Sequence, residues 1–236
     1  MSEDLAAAAS RRIDTDPDPT ACADLLAAAF AREPAVSWIC GGAHSARARW
    51  FRATLRTHAG LAGARRTALV DTEGRLLAAA VLTPPGATPP AGARALWAAR
   101  TLLSSGPHAL GRTLRYLDAT EGGAPAGAWT LEFVGVRPDL TGRGAGRTLL
   151  DHVLTTTPGA VHLTTADPAN VPLYRHFGFT TLGETPLGPL TVTSMARVPS
   201  QKTHEDLGVL APPCERRGQT LRCGDGGMDR GDGRSG

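Results

Sequence analysis

Lysine is nearly absent: Lys202 is the only one in 236 residues, so arginine carries the positive charge. With so many Ala, Gly and Pro residues, that bias reads as coding bias rather than chemistry. Net charge is also scarce, at +3, and predicts no nucleic-acid or polyanion partner. Long apolar runs are missing, so no membrane span is expected. The N-terminus, MSEDLAAAASRR, is acidic and lacks the apolar run of a signal peptide. A soluble cytoplasmic protein is the expectation. Cysteines number four. Cys22 falls on an apolar helix face and Cys40 beside Gly41. Cys214 and Cys223, with His204 upstream, match no zinc spacing, so neither a metal nor a disulfide is expected. Against these absences stands a hydrophobic content of 42%, enough to bury the core of one domain plus extras.

The chain is organised around Trp129–Leu150, WTLEFVGVRPDLTGRGAGRTLL. Trp129, Leu131 and Phe133 alternate with Thr130, Glu132 and Val134, the period of a two-faced strand. Pro138 cannot donate to a sheet ladder, so the strand should end near Arg137. Gly142, Gly144 and Gly146 then free the backbone of side chains where helical spacing begins at Leu149, Leu150 and Val153. Unpaired N–H groups at the positive end of a helix dipole hold phosphate. Two phosphate motifs are excluded. A P-loop needs a lysine that this loop lacks. A dinucleotide fingerprint needs glycine three residues after Gly144, where Arg147 stands.

What remains is Val136, Pro138, Gly142, Gly144, Gly146, Leu149 and Leu150 in the pattern V-x-P-x-x-x-G-x-G-x-G-x-x-L-L. It resembles the acetyl-CoA loop of the GCN5-related N-acetyltransferases (GNAT), Q/R-x-x-G-x-G/A. Thr141 stands in the Q/R position, a departure that Arg143 and Arg147 can offset. A second segment, VHLTTADPANVPLYRHFGF, reads as a short strand from Val161 to Thr164, then a helix. Asp167-Pro168 would cap that helix, Pro172 lies in its first turn, and Gly178 closes it. Asn170, Tyr174, Gly178 and Phe179 match the family's N-x-x-x-Y-x-x-x-G-F. The only other tyrosine is Tyr116, so a tyrosine here is unlike filler.

The resemblance implies a GNAT fold of the α/β (α+β) class: a central mixed, mostly antiparallel sheet with splayed middle strands flanked by helices. It implies an acetyl-CoA-dependent N-acetyltransferase. Val134, Gly135, Val136, Thr141, Gly142, Arg143, Gly144, Ala145, Gly146 and Arg147 would hold the cosubstrate, with Asn170 steadying its pantetheine arm. The Val134 N–H would polarise the thioester carbonyl, and Tyr174 would protonate the departing thiolate. The other reading of Tyr174 is a core-facing aromatic. Glu132, placed by alternation on the face opposite Leu131 and Phe133, would be the base; its other reading is a partner for a surface arginine.

Elsewhere, Arg11–Thr15 reads as a strand, Thr20–Phe30 as a helix and Ala43–Gly60 as an Arg-rich helix in which His44 and His58 are solvated or structural. Strands at Thr67–Asp71 and Leu76–Thr83 form a hairpin. Helices at Ala91–Leu103 and His108–Leu117 are interrupted at Gly106-Pro107. Thr180–Leu182 and Leu190–Ala196 read as closing strands. AAAFAREPAVSWIC and GFTTLGETPLGPLTVTSMAR resemble puromycin N-acetyltransferase-like members, with Phe30, Pro34 and Trp38 as candidate acceptor-pocket walls. Residues 1–9 are expected as a flexible leader, 10–198 as the transferase domain and 199–236 as a disordered tail. The acceptor is expected to be a small-molecule amine, a metabolite or an antibiotic, bound by a monomer or homodimer. Acetylation of a protein's lysine or N-terminus, and a non-catalytic acyl-CoA-binding module, are the alternatives.

Overall fold

A computed structural model of the chain describes residues 11–199; the expected leader, and the tail with Cys214 and Cys223, lie outside them. Seven strands form one sheet: β1 (Arg12–Asp14), β2 (Arg65–Val70), β3 (Leu76–Thr83), β4 (Trp129–Val136), β5 (Val161–Thr165), β6 (Thr180–Leu187) and β7 (Leu190–Arg197). Their spatial order is β1-β2-β3-β4-β5-β7-β6. Every neighbouring pair is antiparallel except β4 and β5. Those two pair only at Trp129↔Val161 and Thr130↔His162, and the rest of β4 is without a partner on that side. The middle of the sheet is therefore split.

Among the described residues six helices flank the sheet: α1 (Pro19–Ala29), α2 (Pro34–Cys40), α3 (His44–Ala59), α4 (Ala91–Thr120), α5 (Ala145–Thr156) and α6 (Asn170–His176). α1 starts where Asp18 Oδ2 accepts from the Ala21 N–H at 2.7 Å and Pro19 presets the first turn. α2 starts by the same device. Glu33 caps it and Pro34 follows at its first position. α4 breaks at Gly106 (φ 86°, ψ 171°) before Pro107, where the interruption was expected. Pro186 sits inside β6, longer than the strand read from sequence. It is tolerated there because β6 is the sheet's edge and one side of it needs no ladder.

The two sheet faces carry separate cores. On one face α5 packs Leu149, Leu150 and Val153 against Leu82, Leu131, Leu163 and Phe179. On the other, α1 and α3 pack Leu26, Trp50, Phe51 and Leu55 against Ala79, Val81 and Phe133. Phe51 lies at the centre of the aromatic set, with ring centroids 5.5 Å from Phe30, 5.0 Å from Trp50 and 5.1 Å from Phe133. Arg47 is buried among these helices, donating to the Ala27 and Gly42 carbonyls at 3.1 and 2.9 Å.

Strand β4 changes faces partway. Val81 pairs with Phe133 but Leu82 pairs with Leu131, so Glu132 is an extra residue with no partner on β3. Trp129 and Leu131 accordingly join the α5-side core, whereas Phe133 joins the other. This corrects the expected placement of Glu132. The bulge interrupts the alternation, and Glu132 shares its face with Phe133 rather than opposing it, within reach of Thr83 on β3.

Candidate active site

The site follows from the split between β4 and β5. Arg137 donates its N–H to the Leu77 carbonyl on β3 at 2.9 Å. Alternation then turns the N–H groups of Val136 and Val134 the other way, into the gap left by β5. Gly135, between them, is buried under α1. A Cβ there would stand 2.8 Å from Leu26 Cδ2 and 2.9 Å from Ala29 Cβ. The close approach that Gly135 permits is therefore that of α1 to the strand.

At the end of the gap the chain passes through a 3-10 turn, Pro138–Leu140, into the glycine loop. Thr141 and Arg143 give their N–H groups to Pro138 and Leu140, and the first intrahelical bond of α5 runs from Thr148 to Gly144. The amides of Ala145, Gly146 and Arg147 belong to the orphan first turn. Gly142 and Gly144 adopt φ of 79° and 78°, a region that side chains strongly disfavour. Gly146 does a different job. A Cβ on it would meet Val136 Cγ2 at 2.8 Å, so its absence lets α5 lie against β4. Thr141, Arg143 and Arg147 are exposed around this nest, whereas Ala145 is buried beneath it. Arg11 joins them, its Nη1 3.5 Å from the Arg143 carbonyl. Arg147 is only 3.8 Å from Asp151, an exposed pair of little energetic weight.

The far bank of the gap is β5 with α6. Asp167 Oδ1 accepts from the Ala169 N–H at 2.9 Å in the turn before α6, and Gly178 (φ 84°) follows the helix's end. Asn170 is the first residue of α6, its Nδ2 3.4 Å from Thr165 Oγ1. Tyr174, one turn on, is half-buried, its ring 5.8 Å from that of Phe179. Burial first, and the charge of Glu33 second, push its phenol pKa up to about 12. It remains a proton donor at any physiological pH.

Glu33 is the residue that the sequence reading missed. Its Oε2 accepts from the Val36 N–H at 2.6 Å, capping α2. The N–H groups of Ala35 and Ala166 also face its carboxylate, Ala166 lying just past the end of β5. Desolvation raises its pKa above the ordinary value, Asp167 adds to the rise, and the backbone donors oppose it. Glu132 is raised as well, by desolvation, against the hydrogen bond that Thr83 Oγ1 donates at 2.6 Å. Water touches the Glu132 side chain, yet protein surrounds the carboxylate on most sides, as at the wall of a cleft. Neither carboxylate forms an ion pair among the described residues, so the alternative of Glu132 as an arginine's partner does not hold. Tyr116 on α4 feels the charge of both, and its hydroxyl lies 3.0 Å from Thr164 Oγ1 on β5. The legible trace of Glu33 was Glu-Pro before an apolar run, a helix-start signature.

The expected pocket walls fare unevenly. Phe30 is half-buried against Phe51 and Phe133, and Pro34 opens α2. Trp38 lies between α4 and the β6–β7 turn, with the guanidinium carbons of Arg112 and Arg115 5.4 and 5.9 Å from its ring centre. A cavity of about 200 Å³ is bordered by Arg147 and Asp151 of α5, His176 of α6 and Arg197 of β7, so Arg147 lines both it and the nest. Among the described residues no three His, Cys, Asp or Glu side chains converge as a metal cage.

Residues 48–179, more than half of the chain, match the acetyltransferase (GNAT) family. No curated protein matches the sequence. Among solved structures, a histone acetyltransferase HPA2 and related acetyltransferase from Corynebacterium glutamicum superposes with a TM-score of 0.59 at 20% identity, over 82% of this chain and 99% of that one. Arylalkylamine N-acetyltransferase 2 from Aedes aegypti gives 0.54 at 12%, over 80% and 98%. The ribosomal-protein-S18-alanine N-acetyltransferase from Escherichia coli gives 0.50 at 16%, over 82% and 97%. At these identities the likeness is one of fold. The split sheet, the glycine loop feeding α5 and the family match lead to one conclusion: this chain belongs to the GNAT acetyltransferase family and is an acyltransferase.

Proposed function

We propose that the protein transfers the acetyl group of acetyl-CoA to the amine of a small molecule. One observation carries the reading: the β4–β5 gap is bordered by a cationic nest of free amides and, on its β5 bank, by the carboxylate of Glu33, which has no ion-pair partner among the described residues. The nest fits a pyrophosphate. Its glycines expose backbone donors at a helix N-terminus, and Arg11, Arg143 and Arg147 supply charge around it. Bound there, acetyl-CoA would supply an activated acyl group. The amides of Val134 and Val136 face the gap without strand partners, so they can hold the pantetheine arm and polarise a carbonyl. Asn170 edges the same channel, and Tyr174 is the proton donor for a leaving thiolate.

The long helix α4 bears on acceptor size. This helix lies against α3 through the Trp50 Nε1–H donated to Thr113 Oγ1 at 2.9 Å, and its last turns reach β5 through Tyr116. Such a cover suits a compact amine better than a protein chain, which would need an open groove. The names of the structural relatives span an arylalkylamine and a ribosomal-protein alanine, so they do not choose between the two acceptor classes. The deciding experiment is a screen of small amines and short peptides that follows release of free CoA thiol. Turnover confined to peptides would replace this reading with protein acetylation. Acetyl-CoA binding without any turnover would leave a non-catalytic module.

A further inference from the structure

Glu33 has an odd position for a helix cap. Exposed helix starts keep their capping carboxylates in water, as Asp18 does for α1. Glu33 is half-buried: its Oε2 accepts from Val36 of α2, and Ala35 of the same turn packs in one buried cluster with Ala166 at the end of β5, whose N–H also faces the carboxylate. That places it on the β5 bank of the gap, the bank from which α6 presents Tyr174. Glu132 lies elsewhere. Its hydrogen-bond partner is Thr83 on β3, the strand on the far side of β4 from the gap. Backbone N–H groups satisfy part of the Glu33 carboxylate, but an enclosed negative charge without a basic partner keeps a desolvation cost that a cation would offset. Among the described residues Glu33 has none. The missing cation is the one that the reaction brings.

We propose that Glu33 receives the acceptor's ammonium group at the mouth of the β4–β5 gap and takes its proton before transfer. The inference rests on the amine-acetylating reading above and assigns the base within it. The protons balance as follows. Glu33 removes one proton from the ammonium and frees the nitrogen lone pair. The N–C bond forms as the C–S bond breaks, and Tyr174 gives its hydroxyl proton to the sulfur. The nitrogen's second proton returns to the Tyr174 oxygen. One proton remains on Glu33 and leaves to water, the net proton of amide formation from an ammonium. The groups facing Glu33 are Tyr116 from α4, Tyr174 from α6 and Asp167 from the turn between β5 and α6. None of these is cationic, so no described residue among them competes for the site, and their environment keeps Glu33 more basic than an ordinary carboxylate.

The test compares the full-length wild type with Glu33→Gln, Glu33→Asp and Glu132→Gln, using phenethylamine, putrescine and alaninamide as acceptor probes. Glutamine keeps an oxygen to accept from Val36 but cannot take a proton. E33Q should lower kcat about a hundredfold or more near neutral pH, the usual contribution of a positioned base. Its acetyl-CoA affinity by calorimetry should stay within a few-fold. The deficit should shrink as pH nears the ammonium's own pKa, where the amine arrives neutral, a rescue that a mere cap would not show. In wild type kcat/KM should rise with pH through a limb above the usual carboxylate range; E33Q should lack that limb and E33D should retain it on a lower plateau. E33Q turnover within about threefold of wild type with the limb intact, or a comparable loss and limb change in E132Q alone, overturns the assignment. No turnover of any probe by wild type that still binds acetyl-CoA overturns the amine-acetylating reading instead, and this proposal falls with it.

Discussion

The two sides of β4 use different materials. Its gap edge and the loop beyond it work through backbone: amides of Val134 and Val136, left-handed glycines at 142 and 144, and a glycine at 146 that admits α5. The opposite face works through side chains from separated elements: Glu33 from the α1–α2 junction, Glu132 from a bulge, and Tyr116 from α4. A backbone site demands particular residues in one short stretch. A side-chain site can be assembled from anywhere the fold brings together. In the function proposed above, the first would hold a ligand common to a family, and the second could vary with the acceptor without disturbing the first.

The largest effect is expected where that separation is most exposed to test. Gly144→Val forces a β-branched residue into φ of 78°, costing at least about 1–2 kcal/mol locally, and puts a side chain over the amides of α5. Acetyl-CoA affinity should fall by roughly a hundredfold or more, counting both effects. Among the described residues no atom lies within 4 Å of where the Cβ would stand, so packing should survive. Calorimetry finding wild-type affinity would remove the loop from the cosubstrate site.

Tyr174→Phe should come next. The ring and its contact with Phe179 stay, and only the proton donor goes. Turnover should drop about a hundredfold, the ordinary contribution of a general acid, with acetyl-CoA affinity within a few-fold of wild type. A phenylalanine variant turning over within about threefold of wild type would return Tyr174 to the core-facing aromatic that it could also have been.

How much of this could be read from the sequence follows the same division. The loop, Asn170, Tyr174 and Gly178 were legible because helix N-termini, left-handed turns and a Pro-tolerant first turn restrict residue choice at fixed spacing. The order of most helices and strands was legible from periodicity. Glu33 was not, because its role depends on Ala166 and Tyr174, more than a hundred residues away in the chain. The face of Glu132 was not, because strand alternation assumes an unbroken ladder, and the extra residue opposite Val81 and Leu82 is set by pairing with β3. α2 lay between, its start signature present but its length only seven residues.

Acid should strike the two layers unequally. The buried histidines His58 and His162 both lie on the α1/α3/α4 side: His58 on α3 with Nε2 3.2 Å from the Leu82 carbonyl, His162 opposite Val161 and Leu163 with Nε2 2.9 Å from Ser194 Oγ. Burial lowers both, His58 to about 4, so the folded protein holds them neutral. The unfolded chain takes up the proton first. The stability from His58 is therefore complete above about pH 6.5 and lost as pH falls from there through about 4, amounting to at most about 3 kcal/mol. Thermal melting from pH 7 to 4.5 should fall steadily, and His58→Gln should flatten the slope. An unchanged slope in the variant would put the acid sensitivity elsewhere.

The smallest effect sharpens the comparison most. Thr113 accepts from Trp50 Nε1–H at 2.9 Å and donates to the Ala109 carbonyl at 2.7 Å, joining α4 to α3 where both side chains are buried. Valine has nearly the same shape and neither polar function. Thr113→Val leaves the indole N–H buried without a partner, which should cost about 1–2 kcal/mol and lower the melting temperature by several degrees. Since α4 is the proposed cover of the acceptor side, the KM for the amine should rise while acetyl-CoA affinity stays put. The variant thus loosens one layer and spares the other. If acetyl-CoA affinity fell in step with stability, the nest and the cover would be a single cooperative unit, and the division of labour across β4 would not hold.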